Sequence, residues 1–126
     1  MRLLLDTHIL LWWLDDSSRL TAVIRQRISD PEQTVFVSAA TLWEIRIKEK
    51  LGKLELPPQF DAALDAAEFL WLPIARAHAN ATATLPLHHR DPFDRLLVAQ
   101  AQCEGLTLLT ADQRLLAYGK NVQWMS

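Results

Sequence analysis

Five carboxylates in this chain stand where a carboxylate is hard to place. Asp6 directly follows the apolar run Leu3-Leu4-Leu5, and Asp112 closely follows Leu106-Thr107-Leu108-Leu109-Thr110. Between them lie Glu44, in Leu42-Trp43-Glu44-Ile45, and the pair Asp91 and Asp94, in His89-Arg90-Asp91-Pro92-Phe93-Asp94-Arg95. Short apolar runs bounded by breakers read as buried strands of a parallel sheet. In open parallel sheets ligands bind beyond the carboxyl ends of the strands. Acids from distant parts of the chain would then meet in one small volume. Carboxylates without compensation resist ionising side by side, so their convergence implies a hard cation held by oxygen ligands.

Each acid also has a plainer reading. On the helix expected from Ser38 to about Leu51, the apolar stripe is Ala40, Trp43, Ile47 and Leu51. Glu44 lies on that stripe, where a carboxylate is costly unless paired or metal-bound; pairing with a local Arg is the alternative. Asp94 lines up with Leu97, Val98 and Ala101 on the inner side of its helix. Asp91 precedes Pro92 at a first helical turn, where an N-cap is the better reading. Asp6 and Asp112 also suit caps, for helices starting near Thr7 and just after Asp112. Taken together, two acids at strand ends and two on inward helix faces favour a metal site over coincidental caps. The Thr110 hydroxyl is placed to orient a neighbouring carboxylate or water.

The elements that must position these residues alternate. Strands are expected at Arg2 to Leu5, Thr34 to Val37, Phe69 to Leu72 and Leu106 to Thr110, with a short fifth at Val122 to Met125. Helices are expected at Thr7 to Leu14 and Arg19 to Ser29, the latter capped by Ser17 or Ser18 and carrying Leu20, Val23, Ile24 and Ile28 at helical spacing. Others run from Ser38 to Leu51, ended by Gly52, from Gln59 to Glu68, and through the Ala-rich stretch from Ala75 to Thr84. Asp91-Pro92 opens a helix to Glu104, closed by Gly105, and Ala111 to Ala117 forms a short last one. This alternation predicts an α/β/α sandwich with a mainly parallel sheet of four to five strands, as one domain over residues 1–126.

Composition narrows the class. Half of the 126 residues are hydrophobic, enough for a single core. No run of apolar residues is long enough to cross a membrane, and Asp6, Asp15 and Asp16 interrupt the N-terminal stretch where a signal peptide would need none. A lone cysteine, Cys103, excludes an internal disulfide framework and fits a cytoplasmic chain. The net charge of −2 is not that of a globally basic nucleic-acid binder. His8, His78, His88 and His89 lack zinc-ligand spacing with Cys103; each reads as a solvated loop histidine, with contact to phosphate or action as an acid the alternative for one near the site.

The segments Leu4-Leu5-Asp6-Thr7-His8, Ser38 to Ile45, Asp91 to Ala101 and Leu109-Thr110-Ala111-Asp112 resemble those of the PIN-domain nucleases, and among them the VapC-type toxins of bacterial toxin–antitoxin pairs. The resemblance spans nearly the whole chain and implies a PIN-like fold. It maps Asp6, Glu44, Asp94 and Asp112 onto the family's acidic catalytic and metal-binding site, Asp91 onto an accessory acid, and Thr110 onto the hydroxyl residue before the last aspartate. It implies divalent-metal-dependent endoribonuclease activity, often on tRNA or rRNA, and neutralisation by a cognate antitoxin; a homodimer is the expected assembly. The run His88-His89-Arg90 lies outside the general pattern and receives no role from it.

The chemistry agrees independently. Carboxylate-held Mg²⁺ or Mn²⁺ acidifies water and stabilises the attacking and leaving oxygens of a phosphodiester. Cations for RNA are sparse: Arg46, Lys48, Lys50 and Lys53 on or after the Glu44 helix, and Arg90 and Arg95 beside Asp94, with Arg46, Lys50, Arg90 and Arg95 as the expected contacts. Trp43 reads as core, whereas Trp12 and Trp13 suit either core or a dimer or antitoxin groove. Two rivals remain from other classes. One is an Mg²⁺-binding signalling receiver, disfavoured because Asp6 has no adjacent acid and no Lys follows the last strand in the right place. The other is a catalytically silent protein-binding module.

Overall fold

The computed structural model describes residues 2–124. Its five strands are β1 (Arg2–Leu5), β2 (Thr34–Ser38), β3 (Leu70–Leu72), β4 (Thr107–Thr110) and β5 (Val122–Trp124). They form one sheet in the order β3-β2-β1-β4-β5, and every pairing is parallel. Met125, assigned from the sequence to the last strand, lies outside the described residues. The first strand is central. The chain builds outward from it through β2 to β3, then returns across the sheet to place β4 on its other side. The carboxyl ends of β1 and β4 therefore flank the point where the strand order reverses, the ligand crevice of open α/β sheets.

The helices are α1 (Thr7–Leu14), α2 (Ala22–Ser29), α3 (Ala39–Lys50), α4 (Phe60–Ala66), α5 (Arg76–Thr82) and α6 (Pro92–Glu104), with a 3-10 turn at Gln113–Tyr118. Side chains alternate across a strand, and two cores follow from that. Leu3, Leu5, Val37 and Leu109 pack with Ile9, Ile24, Ile45 and Phe60 from α1 to α4. Leu4 and Leu108 face the other way, against Leu97, Val98 and Ala101 of α6 and Leu115 and Tyr118 of the 3-10 turn. The expected sandwich is thus formed, with a wholly parallel sheet.

Local chemistry sets the element ends and corrects three expectations. The second helix begins at Ala22, not Arg19, because the Thr21 side chain accepts the Ile24 amide hydrogen and serves as cap in place of Ser17 or Ser18. Leu20 still reaches the core from the preceding loop, while Val23 faces outward. The expected helix after Asp112 is a 3-10 turn. Most consequential is the rotation of α3. Its buried residues are Ala40, Thr41, Glu44 and Ile45, whereas Trp43 is 58% exposed and makes a T-shaped contact with Phe93, ring centroids 5.4 Å apart. The inward face is centred on Glu44 itself, not on the apolar stripe that included Trp43 and Leu51. At the far end of α6, Gly105 adopts φ 67°, a left-handed cap that an L side chain resists.

A buried polar link joins the layers. Gln100 is fully buried on α6; its Oε1 accepts from Ser38 Oγ at 2.6 Å and its Nε2 donates to the Pro73 carbonyl at 3.2 Å. Ser38 Oγ in turn accepts the Ala40 amide hydrogen and so starts α3. Gln100→Leu would strand both the hydroxyl and the carbonyl. It should cost about 1–3 kcal/mol, read as a lower urea midpoint; an unchanged midpoint would show that these bonds are replaceable.

Candidate active site

Asp6 is where β1 becomes α1. Its backbone N–H extends the ladder to Leu109 O at 3.0 Å, and the chain then turns into the helix. The carboxylate caps that turn: Oδ1 accepts the Ile9 amide hydrogen at 2.8 Å. Its Oδ2 accepts from Thr110 Oγ1 at 2.5 Å and Ala111 N at 2.9 Å, both just across at the end of β4. Burial raises the Asp6 pKa, with these hydrogen bonds opposing the rise. Thr110 also accepts the Asp112 amide hydrogen at 2.9 Å, so one hydroxyl sets two acids.

The remaining acids arrive from other elements. Glu44, 3% exposed, accepts from Thr7 Oγ1 at 2.7 Å and from Lys48 Nζ at 2.5 Å. Asp91 caps α6, its Oδ1 accepting the amide hydrogens of Phe93 and Asp94 at 2.8 and 3.2 Å. Asp112 caps the 3-10 turn through Arg114 N at 2.9 Å and is gripped by the Arg114 guanidinium at 3.0 and 2.9 Å. That Arg114 contact holds the Asp112 carboxyl down to about 2, with burial opposing it. Each cap reading is therefore correct, and the same three caps border the site.

Asp94 stands apart. Its side chain is 23% exposed, and the ring nitrogen Nε2 of His89 lies 3.5 Å from Oδ2. Burial pushes its pKa up to about 7, the charges of Asp91 and Asp6 add to the rise, and His89 opposes it. Among the described residues no donor hydrogen-bonds to this carboxylate, and with other acids beside it its charge is one that a cation would balance.

One cleft of about 440 Å³ is lined by Asp6, Glu44, Asp91, Asp94 and Asp112, against the cations Arg19, Lys48 and Arg114. The carboxylate excess and the oxygen donors fit a hard divalent ion such as Mg²⁺ or Mn²⁺. Among the described residues, His89, Asp94 and Asp112 bring three ligand atoms within 4.8 Å of one another.

The cations depart from expectation. Arg95 does not face the cleft: its guanidinium donates to the carbonyls of Pro86, Thr82 and Leu85 and to Tyr118 Oη, and so pins the loop before α6. Arg46 is tied to Glu49 at 3.0 Å and Asp61 at 2.5 Å. Lys50 and Arg90 are exposed and do not line the cleft. The cations that do line it are Lys48, legible as the i+4 partner of Glu44, and Arg114 and Arg19, which carried no local signal. Two histidines also depart from a solvated role. His78 is buried, with Nε2 3.0 Å from Glu104, and His89 is buried with Nε2 2.8 Å from Asp112 Oδ2.

Comparison with known proteins identifies the family and the fold. The PIN domain family model matches residues 3–121. Over 118 residues the chain is 29% identical to Ribonuclease VapC22 of Mycobacterium tuberculosis, covering 91% of this chain and 90% of that one. In fold it is similar to VapBC2 from Rickettsia felis bound to a DNA fragment from its promoter, with a TM-score of 0.76, 15% identity and full coverage of both chains. It is also similar to VapBC-5 of Mycobacterium tuberculosis, a member of the VapBC family of toxin–antitoxin systems, with a TM-score of 0.61, 20% identity and 98% and 97% coverage.

The raised Asp94 pKa has a sign that can be measured. The folded chain holds this proton more tightly than the unfolded chain, with a pKa of about 7 against 3.8. The resulting stability is complete below about pH 4 and is lost as pH rises through 7. In chelator at pH 8, Asp94→Asn should be the more stable protein, by on the order of 2 kcal/mol once water at the cleft mouth is allowed for. The gap should close toward pH 4. A melting curve at pH 8 with no gain for the mutant would show that this charge is already balanced.

Proposed function

The chain belongs to the PIN-domain family, and on that premise we propose that it is a divalent-metal-dependent endoribonuclease and the toxin of a toxin–antitoxin pair. The observation that carries the reading is the crowding of carboxylates from separate elements into one cleft, with Asp94 left without a donor. A signalling receiver is a different family. A silent binding module has no use for that unbalanced charge, which lowers stability at neutral pH.

In this reading Asp6, Glu44, Asp94 and Asp112 hold the cation and Asp91 supports them. Bound Mg²⁺ or Mn²⁺ supplies positive charge against the phosphodiester and acidifies the attacking water. The protein supplies placement. Thr110 and two backbone amides fix Asp6, Thr7 and Lys48 fix Glu44, and Arg114 and His89 fix Asp112. Asp94, with no hydrogen-bond donor to its side chain among the described residues, is the acid whose charge the cation would chiefly balance. Lys48, Arg19 and Arg114 edge the cleft and face the phosphates of an RNA strand.

The antitoxin is assigned to the neighbouring groove of about 620 Å³, whose apolar wall includes Leu11, Trp12, Leu54, Leu56, Pro57 and Pro58. It joins the cleft at Thr7, His8, Trp12 and Lys48, so a bound segment would obstruct RNA. Trp12, half-buried against the core, thus serves both core and groove, whereas Trp13 packs against the core and does not line this groove. The homodimer and the choice of tRNA or rRNA belong to the same proposal, as does a cytoplasmic site of action; among the described residues no helix is long and apolar enough to cross a membrane.

Two measurements test it. Purified protein should cut single-stranded RNA in Mn²⁺ or Mg²⁺ and not in chelator; Asp94→Asn should abolish cutting, while Asp91→Asn should be milder because Asn also caps helices. Cleavage by Asp94→Asn at the wild-type rate would overturn the assignment. Mn²⁺ at a hundredfold excess over its Kd should add about 2.7 kcal/mol of stability, and Asp6→Asn should shrink that gain. An undiminished gain would remove Asp6 from the ligand set.

A further inference from the structure

His89 is outside the acidic motif, and its neighbours His88 and Arg90 are exposed. Its own side chain is buried behind the cleft wall, beside Asp112 and Asp94. Ring Nδ1 accepts the backbone N–H of Asp91 at 3.0 Å. A ring nitrogen that accepts carries no proton, so the ring proton sits on Nε2. That Nε2–H is 2.8 Å from Asp112 Oδ2 and 3.5 Å from Asp94 Oδ2. The backbone is held as firmly: His89 N–H donates to Tyr118 Oη at 3.1 Å, and Tyr118 donates to the Pro86 carbonyl at 2.8 Å. Arg95 braces the same loop at Pro86 and Leu85.

By distance alone His89, Asp94 and Asp112 would make a three-ligand metal site. The protons contradict it. The Nε2 lone pair is taken by its hydrogen. Moving that hydrogen to Nδ1 would set it against the Asp91 amide hydrogen 3.0 Å away. We infer that His89 is a positioning residue and not a metal ligand. Locked by the Asp91 amide, it donates to Asp112 and ties the carboxylate after β4 to the start of the helix that bears Asp94. The cation is then left an all-oxygen donor set, which favours Mg²⁺ or Mn²⁺ over zinc. The inference rests on reading the cleft as a cation site, and its first test needs neither cation nor RNA.

In metal-free protein, ¹⁵N NMR of the His89 ring should report the Nε2–H tautomer; the Nδ1–H tautomer would overturn the inference. In the Mn²⁺-loaded protein, pulsed EPR should show no directly coordinated imidazole nitrogen. A coupling that disappears in His89→Gln would make His89 a ligand. The two amides then separate its contacts, because Gln can set an N–H near the position of Nε2 and Asn can set an acceptor only near that of Nδ1. His89→Gln should keep Mn²⁺ affinity close to wild type, and His89→Asn should weaken it by about tenfold or more, with melting curves in chelator as the folding control. Wild-type affinity in His89→Asn would overturn the positioning role. A wild-type chain that bound no Mn²⁺ would sink the proposed function, while the tautomer would still decide the His89 contact.

Discussion

Negative charge gathered at the carboxyl edge of β1 and β4 is the constraint to which the rest of the fold answers. Carboxylates in one partly buried cleft repel one another, and ordinary packing would disperse them. Here each acid but one is stabilised by donors that belong to the fold itself. Asp6 is served by a hydroxyl and two amides at a strand junction, Glu44 by the first residue of α1 and by its own i+4 lysine, and Asp112 by an arginine two residues on. The strand order makes this possible, because β1 and β4 are neighbours in space and far apart in sequence. The one acid without donors, Asp94, keeps the unspent repulsion, and that imbalance links the architecture to its proposed chemistry.

Much of this was legible in the sequence because the same residues obey local rules. Short apolar runs ended by Asp6 and Thr110 marked the central strands, Ser38 and Asp91-Pro92 marked helix starts, and Gly105 marked an end. Capping and the proposed function do not compete at Asp6, Asp91 and Asp112. A carboxylate that accepts backbone amides at a helix start is thereby held in a fixed orientation at a strand end, so the structural reading explains how the functional one is met.

What stayed hidden depends on three-dimensional contact. The rotation of α3 turned on a polar residue at the centre of the buried face, which a search for apolar periodicity cannot rank first; hence Trp43 lies outside and Glu44 deeper than the stripe implied. Arg95 looked like an RNA contact because it neighbours Asp94, yet the carbonyls that absorb its guanidinium come from the end of α5 and the patternless loop that follows it. His89 carried no signal because its partners, the Asp91 amide and Asp112, are visible only once the β4 end and the α6 start meet.

The bond between Asp6 and Thr110 spans 104 residues, and that separation bears on when the protein becomes competent during synthesis. Contacts so distant in sequence form late, since the ends of a long loop must find each other. A nascent chain holding β1 to β3 has Asp6 and Glu44 but neither β4 nor the hydroxyl and amide that orient Asp6. The cleft is assembled only after the segment through Asp112 has left the ribosome. Until then the carboxylates have no common cleft, and any chemistry they share waits for β4.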